Sequence, residues 1–263
     1  MVHFIGAGPG DPELLTIKGK KLIDQADVII YAGSLVNKEV LAGAKEGAQI
    51  YNSATMTLEE VIEVIENSEQ AGKDVVRLHT GDPCLYGAIR EQMDALEERK
   101  IAYDVCPGVS SFCGAAAALK AEYTLPDVSQ SVVITRMEGR TPVPEKEKIE
   151  LWAKHQSTMV IFLSMGLLAT LQERLMEGGY PPETPAAIVY KATWPEEQVY
   201  HCTVAAIEET AKKNHITKTA LVVVGKVLNS TYERSKLYDP GFTTEFRNGT
   251  DSLEIEQKRE QNE

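Results

Sequence analysis

The stretch FIGAGPGD, residues 4–11, decides how the amino-terminal part of the chain folds. Apolar residues precede its glycines and predict a β-strand that begins at His3. Apolar residues at helical spacing then predict a helix over Ile17–Gln25, with Thr16 as its N-cap. The glycine loop is therefore predicted to connect a strand to a helix.

The same alternation continues beyond this helix. Three further apolar runs, each predicted as a strand, are residues 28–31, 74–79 and 102–106. Apolar residues recur at helical spacing from Leu58 to Ile65, and an alanine-rich helix is predicted to begin near Ser110. Strands that alternate with helices indicate an α/β fold with a mainly parallel sheet.

A polar connector, AEYTLPDVSQ at residues 121–130, interrupts this pattern and predicts a domain boundary. We expect a first α/β domain at residues 1–119 and a second at residues 120–242. The second domain is predicted to contain a mixed sheet, because the short run at residues 198–203 suits an antiparallel strand. Residues 243–263 are polar and charged, and they predict a disordered tail.

Composition narrows the classes of partner. The formal net charge is -12, which disfavours binding to nucleic acid. No apolar run approaches the roughly 20 residues of a membrane-spanning helix, and the amino terminus lacks the pattern of a signal peptide. The four cysteines form no CxxC pair and the five histidines form no cluster with them, so no metal site is predicted. We expect a cytoplasmic protein that binds neither membrane nor nucleic acid.

The glycine loop does not match a phosphate-binding motif. Gly6, Gly8 and Gly10 are present, but Asp11 occupies the place of the third glycine of a dinucleotide fingerprint, and no Lys-Ser/Thr closes a Walker loop. Asp11 and Glu13 would also repel a pyrophosphate. Two alternatives remain, a tight turn that needs glycine for torsional reasons and a loop whose backbone approaches another ligand closely.

Four motifs in order resemble the tetrapyrrole methylases, which use S-adenosylmethionine to methylate porphyrin-like macrocycles. The motifs are GAGPGDPELLT at residues 6–16, YAGSLV at 31–36, TGDPCLYG at 80–87 and PGVSS at 107–111. The resemblance extends from Val2 to about Tyr238. It implies two α/β domains with an active-site trough between them, a folded S-adenosylmethionine that leaves as S-adenosylhomocysteine, and a homodimer.

Within this family, YAGSLV and the segment TRMEGRTPVPEKE at residues 135–147 resemble the branch that methylates precorrin-4 or its cobalt complex at C-11 in cobalamin assembly. Uroporphyrinogen methylases typically carry an Asp after the tyrosine of YAGSLV, where this chain has Ala32. The alternatives are another tetrapyrrole methylase, such as uroporphyrinogen-III C-methyltransferase, and a noncatalytic nucleotide-binding module.

The resemblance also implies site residues. Those matched to cofactor contacts are Pro9, Thr80, Gly81, Asp82, Leu85, Ser110, Ser111, Met165 and Ala192. The macrocycle carries many carboxylates, for which Arg136 and Arg140 are the leading partners, ahead of Lys20, Arg90 and Lys191. Methyl transfer from a sulfonium is an in-line displacement that depends chiefly on positioning, so the sequence assigns no catalytic acid or base.

Overall fold

The computed structural model describes residues 1–229, 231–232 and 235–250. The predicted tail at 243–263 therefore lies outside the described residues from position 251 onward. Its first part forms a tight turn in which the Thr244 nitrogen donates to the Arg247 carbonyl at 2.7 Å.

The first half of the chain forms a five-stranded sheet in the order β3-β2-β4-β1-β5. Its strands are β1 (Val2–Gly6), β2 (Val28–Tyr31), β3 (Gln49–Asn52), β4 (Val75–His79) and β5 (Tyr103–Cys106). Every neighbouring pair in this sheet is parallel, which confirms the predicted fold class. Strand β3 was not predicted, because it is a short edge strand with mostly exposed side chains and no apolar run.

Helices cover both faces of this sheet. They are α1 (Ile17–Gln25), α2 (Leu58–Gln70) and α3 (Arg90–Glu98), and a further helix, α4 (Ser111–Leu119), follows β5. The Thr16 hydroxyl accepts from the Gly19 nitrogen at 3.0 Å, so it caps α1 as predicted. Ile23 of α1 belongs to the apolar core on one face, and Ile62 of α2 and Leu96 of α3 belong to the core on the other.

The second half forms another five-stranded sheet, in the order β6-β7-β10-β8-β9. The strands are β6 (Val132–Arg136), β7 (Thr158–Phe162), β8 (Pro185–Tyr190), β9 (Gln198–Thr203) and β10 (Ala220–Val224). Only the β6–β7 pair is parallel, and β9 pairs antiparallel with β8. The mixed sheet and the antiparallel strand over 198–203 are thus confirmed.

Helices also flank the second sheet. Three of them, α5 (Ile149–Ala153), α6 (Leu168–Glu177) and α7 (Ile207–Lys213), bury their apolar side chains in one core with β7, β8 and β10. The other core of this sheet contains Ala115 of α4 packed with Val160, Val189 and Val223. Helix α4, which ends where the first domain is predicted to end, therefore joins the two halves.

The connector after α4 is anchored to both halves of this junction. The Tyr123 hydroxyl donates to the Phe112 carbonyl of α4 at 2.9 Å, and the Thr158 hydroxyl of β7 donates to the Tyr123 carbonyl at 2.8 Å. These bonds fix the connector against α4 on one side and against β7 of the second sheet on the other. No helix within the described ranges is long and apolar enough to cross a membrane.

Candidate active site

A cavity of about 480 Å³ lies between two sets of loops. One set follows the strands of the first sheet, and the other lies at the ends of strands β7, β8 and β10 of the second sheet. Its volume falls within the range of roughly 300–1,000 Å³ that is usual for small-molecule sites. All nine residues predicted to contact the cofactor line it: Pro9, Thr80, Gly81, Asp82, Leu85, Ser110, Ser111, Met165 and Ala192. Residues that are far apart in sequence thus meet at one place, where open α/β sheets bind their ligands.

Three glycines pack backbone against backbone beneath this cavity. A Cβ at Gly6 would lie 2.7 Å from the Gly108 nitrogen and would also overlap Gly81 and the Gly108 Cα. The strands β1, β4 and β5 end here, so their loops can converge only without side chains. Among the glycines of the loop at residues 4–11, Gly6 is thus required by the packing of the neighbouring loops.

Three amides of the glycine loop form hydrogen bonds within the protein. Gly8 has a positive φ of 75°, and it exchanges two hydrogen bonds with Gly81, at 3.3 Å and 2.9 Å. The Ala7 nitrogen donates to the His79 carbonyl at 2.7 Å, and the Asp11 nitrogen donates to the Thr193 hydroxyl at 3.0 Å. A phosphate cradle needs free N–H groups directed at the ligand. The loop is instead a bonded wall of the cavity.

Asp82 ties two of the converging loops together. One carboxylate oxygen accepts from the Cys84 nitrogen at 2.8 Å, and the other accepts from the Gly108 nitrogen at 2.9 Å. Burial opposes ionisation of this carboxyl, but the hydrogen bonds outweigh it and hold the pKa of Asp82 below its usual value. Asp82 thus keeps a negative charge in the cavity wall while its oxygens organise the backbone.

Two polar groups of the cavity wall lack partners among the described residues. The Thr80 hydroxyl oxygen and His79 Nε2 are both buried without a hydrogen bond. Ser110 occupies the N-cap of α4, yet its side chain makes no capping bond. Buried polar atoms are nearly always hydrogen-bonded in proteins, so these groups fit a polar ligand that enters the cavity.

His79 is a cavity residue that the sequence analysis did not select. Burial, helped by the charge of Arg77, lowers the pKa of His79 to about 3, so its imidazole is neutral at physiological pH. Arg77 is itself buried, its pKa is lowered to about 10, and it donates to Gln92 Oε1 at 2.9 Å and to the Ile30 carbonyl at 3.1 Å. The position of His79 as the last residue of β4 was the available signal, because its neighbour Thr80 was selected.

The second half of the chain contributes two segments to the cavity wall, the turn between β8 and β9 and the loop after β7. Lys191, Ala192 and Trp194 line the cavity from the turn, and Leu163 and Met165 line it from the loop. Lys191 and Leu163 have positive φ values of 46° and 52°. Such backbone conformations are costly for residues other than glycine, and they concentrate at functional sites.

The predicted macrocycle-binding arginines do not line the cavity. Arg136 ends β6, and its guanidinium donates to the carbonyls of Met137, Thr141 and Pro142 at 3.1 Å, 3.2 Å and 2.8 Å. Burial raises the pKa of cavity residue Tyr86, and the nearby positive charge of Arg136 partly offsets that rise. Arg136 is therefore close to the cavity mouth, whereas Arg140 is exposed in the loop that Arg136 organises.

Similarity to known proteins agrees with this arrangement. Residues 1–208 match the family model of the tetrapyrrole (corrin/porphyrin) methylases. A cobalt-precorrin-4 C(11)-methyltransferase from Methanocaldococcus jannaschii is 57% identical over 94% of this chain and 95% of its own length. The crystal structure of a cobalt precorrin-4 methyltransferase, a cobalamin biosynthetic enzyme, is 45% identical with a TM-score of 0.85, covering 87% of this chain and 96% of that one.

A more distant structure includes a bound ligand. The uroporphyrin-III C-methyltransferase of Thermus thermophilus, in complex with S-adenosylhomocysteine, is 26% identical with a TM-score of 0.71 over 89% of this chain and 95% of its own. The family model matches well over half of the sequence, and the first relative is similar along nearly its whole length. The chain belongs to the tetrapyrrole (corrin/porphyrin) methylases.

Proposed function

We propose that this protein transfers a methyl group from S-adenosylmethionine to C-11 of precorrin-4 or of its cobalt complex, as a step of cobalamin biosynthesis. One observation carries the proposal: the nine residues that the family resemblance matches to cofactor contacts, drawn from both halves of the chain, line a single cavity. The high identity to the relative of that name along almost its full length supports the choice of substrate and ring position.

The cavity suits S-adenosylmethionine. The Thr80 hydroxyl and the Ser110 and Ser111 segment offer polar groups, while Leu85, Met165 and Ala192 offer apolar contact. Asp82 places a negative charge in the wall, which favours a cationic sulfonium. When bound, S-adenosylmethionine supplies the electrophilic methyl group.

The protein's own part in the reaction is positioning. The hydrogen bonds between the glycine loop and the β8–β9 turn fix the two walls relative to each other, and the apolar side chains exclude water from the reacting atoms. The macrocycle carries carboxylates, and we propose that Arg136 and Arg140 bind them at the mouth. Neutral His79 has a buried ring nitrogen, Nε2, without a partner among the described residues, and we propose that it exchanges a hydrogen bond with a bound ligand. We assign His79 no proton transfer.

The uroporphyrinogen alternative is disfavoured by one residue of the cavity. Ala32 lines the cavity at the position after the tyrosine of YAGSLV, where uroporphyrinogen methylases typically carry an Asp. This chain therefore offers no carboxylate at that position. The nucleotide-binding alternative is disfavoured by the amides of Ala7, Gly8 and Asp11, which are bonded within the protein.

We further propose two domains at 1–119 and 120–242, a homodimer and a cytoplasmic location. The four cysteines are free, which suits a reducing compartment. Leu237, Tyr238 and Phe246 are exposed apolar side chains close together in sequence, which suits contact with a second copy. Light scattering of the purified protein tests the dimer, and a monomer at micromolar concentration would contradict it.

The test of the reaction uses S-adenosylmethionine labelled with ¹³C at the methyl group. The protein is incubated separately with precorrin-4, cobalt-precorrin-4 and uroporphyrinogen III, and NMR locates the label. We expect label at C-11 of precorrin-4 or of its cobalt complex. Label at C-2 or C-7 of uroporphyrinogen, or no transfer to any of the three, would overturn the proposal.

A matched pair of variants tests the cavity itself. Thr80→Val removes a hydroxyl that lines the cavity, and Thr184→Val removes a buried hydroxyl that also lacks a partner but lies outside the cavity lining. We expect Thr80→Val to raise the KM for S-adenosylmethionine about threefold to tenfold, as for the loss of one hydrogen bond. An equal change in both variants would show that the hydroxyl of Thr80 acts on folding alone.

A further inference from the structure

We propose that Trp194 is a positioning residue that fixes the segment Pro9 to Asp11 as a wall of the methyl-donor site. This inference rests on the proposed function and adds a residue to it that no family motif quoted above contains. It concerns a contact between the two halves of the chain, made by side chains of the β8–β9 turn.

Two hydrogen bonds cross from the turn to the glycine loop. Trp194 Nε1 donates to the Pro9 carbonyl at 2.9 Å, and the Asp11 nitrogen donates to the Thr193 hydroxyl at 3.0 Å. The bonded residues are 185 and 182 positions apart in sequence. The two bonds flank Gly10, so they hold consecutive peptide groups of the loop from one side.

Gly10 lets the indole lie directly on the loop. A Cβ at Gly10 would lie 2.8 Å from Trp194 Cγ, and nearer still to Cδ1 and Nε1 of the same indole. Asn37 Nδ2 also donates to the Gly10 carbonyl at 2.9 Å. Trp194 and Asn37 thus both hold the loop, and the indole can lie against Gly10 only because this residue has no side chain.

Trp194 is itself held in place. The Lys191 ammonium lies 5.1 Å from the centre of the indole ring and pairs with Glu196 at 3.1 Å. The backbone nitrogen of Trp194 donates to the Lys191 carbonyl at 3.0 Å, and Thr193 takes a positive φ of 68°. A strained turn that is this well bonded presents a side chain in one fixed orientation.

The consequence concerns the cavity wall. Pro9 and Trp194 both line the cavity, one from each half of the chain. Because Pro9 has no N–H of its own, its carbonyl is the polar backbone group through which this residue can be fixed. Loss of the indole N–H should loosen the Pro9 wall and weaken binding of the methyl donor without unfolding the protein.

The experiment compares Trp194→Phe with Trp152→Phe, which alters the other tryptophan of the chain. Trp152 is also partly buried, but it lies on α5 outside the cavity lining. Phenylalanine keeps an aromatic ring against Gly10 and removes only the donor and part of the ring. Hydrogen exchange of the peptide covering residues 7–11 is measured in the ligand-free proteins, and S-adenosylhomocysteine affinity is measured by calorimetry.

We expect Trp194→Phe to exchange its loop amides about threefold to tenfold faster and to bind S-adenosylhomocysteine more weakly by a similar factor. Trp152→Phe should change neither quantity. In Trp152→Phe the remaining indole belongs to Trp194, so its fluorescence should still respond to S-adenosylhomocysteine, whereas that response should be lost in Trp194→Phe. Thr193→Val, which removes the other bond, should give the same loop exchange.

Unchanged loop exchange in Trp194→Phe, or faster exchange with unchanged affinity, would overturn the inference. If the melting temperature of Trp194→Phe falls well below that of wild type, Thr193→Val decides the matter by the same two measurements. Wild-type protein that does not bind S-adenosylhomocysteine would overturn the proposed function instead, and the exchange data would still decide whether Trp194 fixes the Pro9 segment.

Discussion

The two walls of the cavity are built in different ways. The wall from the first sheet consists of loops that follow parallel strands, and its glycines pack backbone against backbone at Gly6, Gly81 and Gly108. The wall from the second sheet consists of side chains such as Met165 and Trp194, carried on a loop and a turn of a mixed sheet. The first wall tolerates almost no added atoms, whereas the second depends on particular side chains and their hydrogen bonds.

This difference explains why sequence motifs mark one wall and not the other. A backbone that must approach another backbone restricts several consecutive positions to glycine or to turn-forming residues such as Asp-Pro. A wall made from side chains on a turn leaves no comparable local pattern. Substitutions in the first wall should therefore act on folding and function together, and substitutions in the second should act mainly on binding.

The largest effect is expected for Gly6→Ala. The added Cβ overlaps the Gly108 backbone, and overpacking of this kind should lower the free energy of unfolding by about 3 kcal/mol. Gly166→Ala is the control, because no heavy atom lies within 4 Å of a Cβ at that position. Urea denaturation measures both variants, and similar losses in the two would contradict a backbone-packed first wall.

A second effect concerns the pH dependence of stability. Folded His79 has its pKa lowered from 6.5 to about 3, so the unfolded chain binds a proton that the folded chain does not at pH values between these limits. Wild-type protein should lose about 1.4 kcal/mol for each pH unit below 6.5 relative to His79→Gln. Unfolding at several pH values between 7.5 and 5 measures this difference. The exposed His201, changed to Gln, serves as the control for loss of a histidine outside the cavity.

Asp82→Asn should have a smaller effect. The amide replaces one acceptor of two backbone N–H groups, so we expect a loss of about 1–2 kcal/mol at neutral pH. Because the folded pKa of Asp82 lies below 3.8, its contribution is present above that pH and is lost as the pH falls through the folded value. The difference between the proteins should accordingly shrink in acid. Exposed Asp127→Asn is the control, and a gap between wild type and Asp82→Asn that persists in acid would contradict the assignment.

The smallest effect is expected in the second half. Arg136→Gln should raise the KM for the macrocycle about threefold to tenfold, because a carboxylate loses a charged partner near the exposed mouth. The KM for S-adenosylmethionine should stay within about twofold of wild type, because Arg136 does not line the cavity. Steady-state kinetics with each substrate varied in turn separates the two, and Arg99→Gln, an exposed arginine of the first half, gives the baseline. A rise confined to the S-adenosylmethionine KM would refute the assignment of Arg136.

Much of this architecture could be predicted from the sequence. Hydrophobic periodicity predicted both sheets and the antiparallel strand at 198–203, since buried strands and helices each impose a repeat. The edge strand β3 was not predicted, because its side chains are mostly exposed and form no apolar run. His79 and Trp194 were missed for another reason. The only local signal for His79 was its place beside Thr80 at the end of β4, and the role of Trp194 arises from a contact that spans 185 residues.

The central claim is that both walls hold the methyl donor, and a crystal structure of the protein with S-adenosylhomocysteine tests it most directly. We predict that the ligand lies between the two sheets, in contact with Pro9 and Thr80 from the first wall and with Met165 and Ala192 from the second. Density for the ligand that touches only one wall, or that lies outside this cavity, would contradict the account.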